Sequence, residues 1–268
     1  MIHVAVSGAS GRMGQAIINE ILNNPKLKLV AAFEKNDNPN LGKDAGFKFG
    51  KNTYISISNN INDLSKADCL IDFTQPQNTI NNLKICAELG KKIVIGTTGF
   101  NEKDKNLINF FSKKTAIVLS PNMSIGINLI FKLLDVTSKF LGKDYDVEIL
   151  EAHHKHKLDS PSGTALKMGE IIAASRNTEL SKIASWESCK NNSLRKPGSI
   201  GFSCMRGGDI SGEHVAYFYG PGEQIEIKHK SNDRRIYANG AIHAACFLAD
   251  KKIGLYDMHA VLQSKNSL

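Results

Sequence analysis

The first fourteen residues constrain this chain more than any other stretch. Ile2 to Ser7 alternates and is rich in Val and Ile, Gly8-Ala9-Ser10-Gly11-Arg12-Met13-Gly14 follows, and Gln15 to Asn23 carries helical apolar spacing through Ala16, Ile17, Ile18, Ile21 and Leu22. Strand, glycine turn and helix in that order open a dinucleotide-binding βαβ unit. Gly8, Gly11 and Gly14 let the backbone turn tightly, approach a pyrophosphate and pack helix on strand. The helix dipole and its first N–H groups then face the phosphate charge. The spacing is G-x-x-G-x-x-G, a variant in which Arg12 offers a further cation. Alone, such a pattern also fits an ordinary turn, so its context decides.

Leu27 to Phe33 reads as a second strand, and Glu34 stands at its end, 20 residues after Gly14, where an acid can accept from ribose hydroxyls. Lys35 follows at once and could tolerate a 2′-phosphate, so NADH and NADPH both remain open; the plainer reading is two solvated charges leaving a strand.

The alternation continues with strands Ala67 to Phe73, Lys92 to Ile95 and Ala116 to Leu119 and helices Asn78 to Leu89, Glu102 to Phe111 and Ile125 to Leu141. Repeated β-α pairs of this length build a Rossmann-like, doubly wound parallel sheet with ligands over the carboxyl ends of its strands. The turns after Thr74, at Gly96-Thr97-Thr98-Gly99 and at Ser120-Pro121-Asn122-Met123-Ser124 are small and polar, candidates to wall a nicotinamide pocket.

From Asp144 the pattern changes. Tyr145 to Glu151 reads as a strand and Thr164 to Ala174 as a helix, while 175–197 reads as a surface excursion. Ile200 to Met205, Glu213 to Tyr219 and Gln224 to His229 are short strands separated by glycine turns, which predicts an antiparallel meander. The fold class expected is therefore α/β: the parallel sheet plus a second α+β domain with a mainly antiparallel sheet. The boundaries expected are 1–124 joined by 235–268 for the dinucleotide, and 125–234 for substrate and self-association. The last segment, from Arg235 to Leu262, is expected to be helical and to return to the first domain.

Between strand and helix of the second domain lies the most polar stretch of the chain, Glu148 to Thr164, reading EILEAHHKHKLDSPSGT. Three readings compete for His153, His154, Lys155, His156 and Lys157. A metal site needs ligands that converge, but these are nearly consecutive, interleaved with lysines, and lack an H-E-x-x-H helix or Cys partners. A solvated basic loop is the plain reading. The third is an anion and proton site: imidazoles titrating near neutrality, a lysine able to give a proton or hold a carboxylate, and a helix start at Ser162-Gly163-Thr164 offering N–H groups. With a nicotinamide domain upstream the third fits best, and it implies a small anionic substrate reduced by hydride transfer.

The wider composition agrees. The formal charge is +8, but the lysines are scattered singly or in pairs, which suits an anionic small molecule and argues against nucleic acid. Five cysteines (Cys69, Cys86, Cys189, Cys204, Cys246) with no C-x-x-C pair suit reduced thiols. No basic leader precedes MIHVAVSG and no apolar run reaches spanning length, so a soluble cytoplasmic protein with no membrane partner is expected.

The run Glu151-Ala152-His153-His154-Lys155-His156-Lys157-Leu158-Asp159-Ser160-Pro161-Ser162-Gly163-Thr164-Ala165 closely resembles the signature E-x-H-H-x-x-K-x-D-x-P-S-G-T-A of the 4-hydroxy-tetrahydrodipicolinate reductases, also called dihydrodipicolinate reductases, of bacterial lysine biosynthesis. GASGRMG at 8–14, Asp72-Phe73-Thr74, Gly96 to Phe100, Asn122-Met123-Ser124, and Arg206 to His214 resemble further landmarks of that family. The resemblance implies His153 as the acid/base histidine and Lys157 as the proton donor, with His154, Gly163 and Thr164 holding the carboxylates of a small cyclic dicarboxylate. It places the dinucleotide on Gly8, Ala9, Ser10, Gly11, Arg12, Met13, Glu34, Lys35, Gly96, Thr97, Thr98, Ser120, Pro121, Asn122 and Met123. It also implies no metal, hydride delivery to ring C4 with loss of water, the diaminopimelate route to lysine, and a homotetramer built through the second domain's sheet. Lys35 stands where many members carry Arg; an ammonium lacks the planar fork that stacks on adenine, so use of both NADH and NADPH is expected, within roughly tenfold, about 1.4 kcal/mol.

Two alternatives are weighed against this. A semialdehyde dehydrogenase of similar architecture needs an acylatable Cys at a strand end, and none of the five is plainly so placed. A dinucleotide-sensing binding protein has no use for a His-His-x-x-Lys cluster beside a helix start.

Overall fold

A computed structural model of the chain describes residues 1–186 and 194–264, so Cys189, within the excursion read at 175–197, lies outside the described residues. The chain divides into two compact units, Met1–Ile125 with Arg234–Leu268, and Gly126–Asp233.

The first unit runs β1 (Ile2–Ser7), α1 (Arg12–Leu22), β2 (Leu27–Phe33), β3 (Ile57–Ser58), β4 (Cys69–Asp72), α2 (Pro76–Glu88), β5 (Lys92–Ile95), α3 (Glu102–Phe111) and β6 (Ala116–Leu119). Its strands are too apolar to face water on either side: Val4, Ala5 and Val6 of β1 are all fully buried, as a parallel sheet covered on both faces requires. α2 begins with Pro76 in its first turn, and α3 carries a capping box between Asn101 and Asp104, so both helices start where the sequence stops the strand pattern.

α4 (Ile125–Leu141) leads into β7 (Asp146–His153), α5 (Gly163–Ser175), α6 (Leu180–Ile183), β8 (Ala184–Ser185), β9 (Ile200–Arg206), β10 (Gly212–Gly220) and β11 (Glu223–Ser231). α7 (Arg235–Leu248), β12 (Gly254–Tyr256) and α8 (Met258–Gln263) then complete the first unit.

The first sheet has seven strands in the order β12-β6-β5-β4-β1-β2-β3, every pair parallel. One apolar cluster fills one face, with Ile17, Ile18 and Ile21 of α1 and Ala241, Ala245 and Leu248 of α7 against Val4, Ile71 and Val118. A second fills the other, with Ile80 and Leu83 of α2 and Ile108 of α3 against Ala5, Leu70, Ile93 and Ile117. This is the doubly wound arrangement expected. The strand order reverses between β1 and β4, and the crevice over their carboxyl ends is where such sheets bind ligands.

The second sheet, β11-β10-β7-β9-β8, is mixed. β10 pairs antiparallel with both β11 and β7, while β7–β9 and β9–β8 are parallel. The meander expected from the glycine turns is corrected accordingly: β9 and β10 are not neighbours, because β7 lies between them. Only Gly220-Pro221-Gly222 makes a hairpin; the Arg206–Gly212 connection steps over the end of β7. Parallel β7 and β9 follow from the helical crossover through α5 that separates them in sequence. Ile130, Leu134, Met168 and Ile172 pack on Val147, Ile149, Phe202 and Phe218 to form this unit's core. The helical reading of 235–262 is also corrected, since β12 interrupts it as an edge strand beside β6.

Candidate active site

In the first unit, the glycine turn is built for a close backbone approach. Gly8 has a φ of +71°, in the left-handed region, and a Cβ at position 14 would lie 2.1 Å from the Gly8 carbonyl oxygen, so only glycine lets α1 start this near β1. Gly8 and Ala9 donate their N–H groups to the Phe33 carbonyl at 2.9 and 3.0 Å, tying the turn to the end of β2. α1 has Gly11 at its N-cap and no side chain capping it, which leaves its first-turn N–H groups for a ligand.

Glu34, at the end of β2, accepts from both the Ser10 N–H (2.9 Å) and the Ser10 hydroxyl (2.7 Å), which fixes its carboxylate against the turn. Lys35 extends to solvent and pairs with Asp37 at 3.1 Å. These features fit a dinucleotide: a turn without side chains for the pyrophosphate, free helix N–H groups, and an acid anchored beside them for ribose hydroxyls.

The other expected cofactor residues gather at the same end of the sheet. Gly96 follows β5 and donates to the Asp72 carbonyl at 2.9 Å, and a Cβ there would strike the Phe73 ring at 2.2 Å. Ser120 follows β6, donates its N–H to the Ile95 carbonyl and its hydroxyl to the Asn122 carbonyl. Thr98 and Pro121 are exposed, while Thr97 and Met123 are buried, with the Met123 carbonyl against Gly240.

In the second unit, β7 carries the polar stretch. Glu151 and His153, two residues apart on a strand, share one face. Glu151 is fully buried, and its carboxylate accepts from Arg206 at 2.7 and 3.0 Å, from the Ser162 N–H at 3.3 Å and from His153 Nδ1. Burial alone would raise the Glu151 carboxyl, but the bonds from Arg206 and His153 outweigh it and hold it below the ordinary value. Burial lowers His153, with Glu151 working against that shift.

His154 leaves the strand, and its Nδ1 is buried with no hydrogen-bond partner among the described residues. Lys157 Nζ lies 2.8 Å from Asp159. Ser162 caps α5, accepting from the Ala165 N–H at 3.3 Å, and Gly163 opens the helix with empty space where a Cβ would stand. Thr164 follows on the first turn. The two catalytic and three substrate-binding residues expected from the sequence thus lie within one strand end, one loop and one helix start. Among the described residues no group of three His, Cys, Asp or Glu side chains is placed to hold a metal.

The four described cysteines are free thiols, and burial pushes each of them up, Cys69 to about 12; none of these is a ready thiolate for acyl transfer. No helix among the described residues is long and apolar enough to cross a membrane.

Two family models divide the chain between them: "Dihydrodipicolinate reductase, N-terminus" matches residues 2–123 and "Dihydrodipicolinate reductase, C-terminus" matches residues 126–262. This chain belongs to the dihydrodipicolinate reductase family. Among curated relatives it is similar to the 4-hydroxy-tetrahydrodipicolinate reductase of Bordetella parapertussis, 48% identical over 259 residues that cover 97% of this chain and 96% of that protein. It is likewise similar to the one of Ralstonia pickettii, 49% identical over 260 residues, covering 97% and 98%. Among solved structures it resembles a dipicolinate-bound dihydrodipicolinate reductase from Paenisporosarcina sp. TG-14, with a TM-score of 0.78, 26% identity, and coverage of 96% of this chain and 97% of that one.

Several residues of this dihydrodipicolinate reductase family member stand inside the sequence motifs without a role that the sequence assigns them. Glu151 and Arg206 are 55 positions apart and meet only through the parallel register of β7 and β9. His214, on β10, is buried against His153 with ring centroids 5.0 Å apart, and its Nε2 meets the Ser162 hydroxyl at 3.0 Å. Burial, then the nearby His153, lowers His214 to about 3. In the first unit Asp72 is fully buried and accepts from Thr74 N–H, Thr74 hydroxyl, Thr79 hydroxyl and Asn82 amide at 2.9, 2.6, 3.1 and 2.8 Å, joining the ends of β4 and α2 under the crevice. Lys48, in a short turn that gave no motif, donates to the Ser10 carbonyl at 2.9 Å and adds a cation beside the glycine turn.

Proposed function

We propose that this chain performs the reaction its curated relatives are named for, the NAD(P)H-dependent reduction of 4-hydroxy-tetrahydrodipicolinate to tetrahydrodipicolinate in the diaminopimelate route to lysine. The observation that carries the reading is the full-length similarity to those enzymes, together with the ordered His-His-x-x-Lys loop between β7 and α5.

The glycine turn, Glu34 and the turns after β5 and β6 hold the dinucleotide, which supplies a hydride to ring C4 when bound. His154, with one buried ring nitrogen unpartnered, and the Gly163 and Thr164 positions at the start of α5 hold the substrate carboxylates. Lys157 gives a proton to the carbon next to the one reduced, and the 4-hydroxyl leaves as water with the acid/base help of His153. NADH and NADPH both serve.

The chain assembles as a homotetramer through the outer face of the second sheet, where Met205 and Tyr219 are exposed and the Tyr217 and Tyr219 rings stack 5.7 Å apart. It works in the cytoplasm, in keeping with its free described thiols. The test is a coupled assay in which 4-hydroxy-tetrahydrodipicolinate synthase makes the unstable substrate in situ and oxidation of NADH or NADPH is followed. Consumption that depends on the synthase is expected; none with either cofactor removes the proposal. Sedimentation mass reads the oligomer.

A further inference from the structure

The Glu151 carboxylate is among the most deeply buried charges of the second unit, yet the reaction gives it nothing to do directly. We infer that Glu151, gripped by Arg206, is the positioning carboxylate of His153: it keeps the imidazole proton on Nδ1 and leaves Nε2 as the nitrogen that exchanges protons in the reaction, while Arg206 draws off part of the carboxylate's charge.

The geometry carries this. A carboxylate only accepts, so the Nδ1 in contact with Glu151 carries the hydrogen and Nε2 carries the lone pair. The remaining capacity of Glu151 is taken by fixed donors, two N–H groups of Arg206 and the Ser162 N–H at the start of α5. Arg206 is itself held, donating to the Met205 and Asp159 carbonyls at 2.7 Å each. On the other side of the ring, a Cβ at position 212 would stand 3.1 Å from Nε2, so Gly212 keeps that nitrogen clear. The charged and titratable groups bearing on His153 are Glu151 on its own strand, Lys157 in the loop that follows, Arg206 at the end of β9 and His214 on β10. Of these only Glu151 favours the imidazolium, so Glu151 and Arg206 act on His153 in opposite senses.

The competing view is a structural knot that merely ties β7, β9 and α5 together. It shares the wild-type tautomer, which the contact itself fixes, and predicts changes in stability, but no loss of kcat/KM in a folded Glu151→Gln and no shift in the pH limb of kcat/KM in Arg206→Gln. The inference rests on the acid/base role proposed above for His153. Ring NMR of the full-length protein reads it whether or not substrate is turned over, whereas the coupled assay reads the function alone, so the two can fail separately.

In the wild type at neutral pH, the His153 ring should show the Nδ1–H tautomer. In Glu151→Gln the amide oxygen should take the position facing two donors, Arg206 and Ser162, which turns the amide NH2 toward Nδ1 and switches the ring to Nε2–H. His153 should then protonate at lower pH, and kcat/KM should fall at least about a hundredfold. Arg206→Gln should keep the Nδ1–H tautomer and move the midpoint, with the matching limb of the kcat/KM profile, to higher pH; Arg206→Lys should bring it back toward wild type. Removing one partner of a buried pair can prevent folding. Should Glu151→Gln not fold, the direction of the Arg206→Gln shift in the ring midpoint and in the kcat/KM profile still decides. An Nε2–H tautomer in the wild type, or an Arg206→Gln midpoint that stays or moves down, overturns the inference.

Discussion

The Lys157 ammonium lies 2.8 Å from the Asp159 carboxylate. The group proposed to give the substrate its proton is therefore already engaged by an anion of the protein's own. Asp159 is exposed, and its bond to Lys157, with the Gly163 N–H, holds its carboxyl below the usual range. Substrate has to displace it. Asp159→Asn should lower the substrate KM and tighten inhibition by dipicolinate, up to about fivefold for an exposed pair worth at most about 1 kcal/mol. A KM raised tenfold or more would instead make Asp159 a binding residue.

Lys157→Ala should cut kcat by roughly two to four orders of magnitude, because a positioned proton donor contributes about that much, and leave the dinucleotide Kd nearly unchanged. His153→Ala should act in the same direction, less severely. Stopped-flow turnover beside fluorescence titration with NADH separates the two effects; retained turnover in Lys157→Ala would end its assignment as donor.

Cofactor choice turns on Lys35, whose charge is shared with Asp37. The wild type should use NADH and NADPH within roughly tenfold of each other. Asp37→Ala frees the ammonium for a 2′-phosphate and should raise kcat/KM for NADPH relative to NADH by up to about fivefold, the worth of an exposed ion pair. A wild-type preference beyond a hundredfold, or no change in the ratio in the variant, contradicts this account of Lys35.

Acid should destabilise the second unit before its carboxylates titrate. His214 is held neutral down to about pH 3, whereas the unfolded side chain protonates near its ordinary 6.5. Unfolding then takes up a proton, so stability falls as pH drops from about 6.5 toward about 3, by at most about 1.4 kcal/mol per pH unit from this group. His153 and His229, both lowered by burial, act in the same sense. Urea denaturation at several pH values should show the slope, and His214→Gln should flatten it.

Asp72→Asn should weaken dinucleotide binding without touching the ligand. The carboxylate accepts from the Thr74 N–H and the hydroxyls of Thr74 and Thr79, and an amide cannot accept all of these and still face the Asn82 NH2. A cost of about 1–3 kcal/mol in stability is expected. Calorimetric titration with NADH should show a raised Kd; unchanged affinity would leave Asp72 a purely structural hub.

The first sheet was legible because its strands are short and apolar, end in small polar or glycine-rich turns, and, β2 apart, are followed by helical stretches. β3 and β12 were not: two and three residues at the sheet edges carry no readable period, and Leu255 of β12 is exposed. In the second unit the strands could be read but not their order. The glycine-containing connections at 206–212 and 220–222 look alike in sequence, and only the packed sheet distinguishes a crossing from a hairpin. His153, Lys157 and the start of α5 were legible because they are close together in the chain. The Glu151–Arg206 pair was not assigned a role, because what joins it is register between distant strands.

The first unit is discontinuous, and this bears on how the chain is made. Its helix α7 lies over β4, β5 and β6, and Ala241, Ala245, Met258 and Val261 complete its apolar cluster. On the ribosome, the half that begins first finishes last. Until the final segment emerges, Ile71, Val94 and Val118 lack much of their cover, while the second unit is continuous in sequence and carries its own apolar core. A nascent chain stalled before Arg235 should therefore hold a folded second unit and a sticky, unfinished first unit, a natural client for a chaperone.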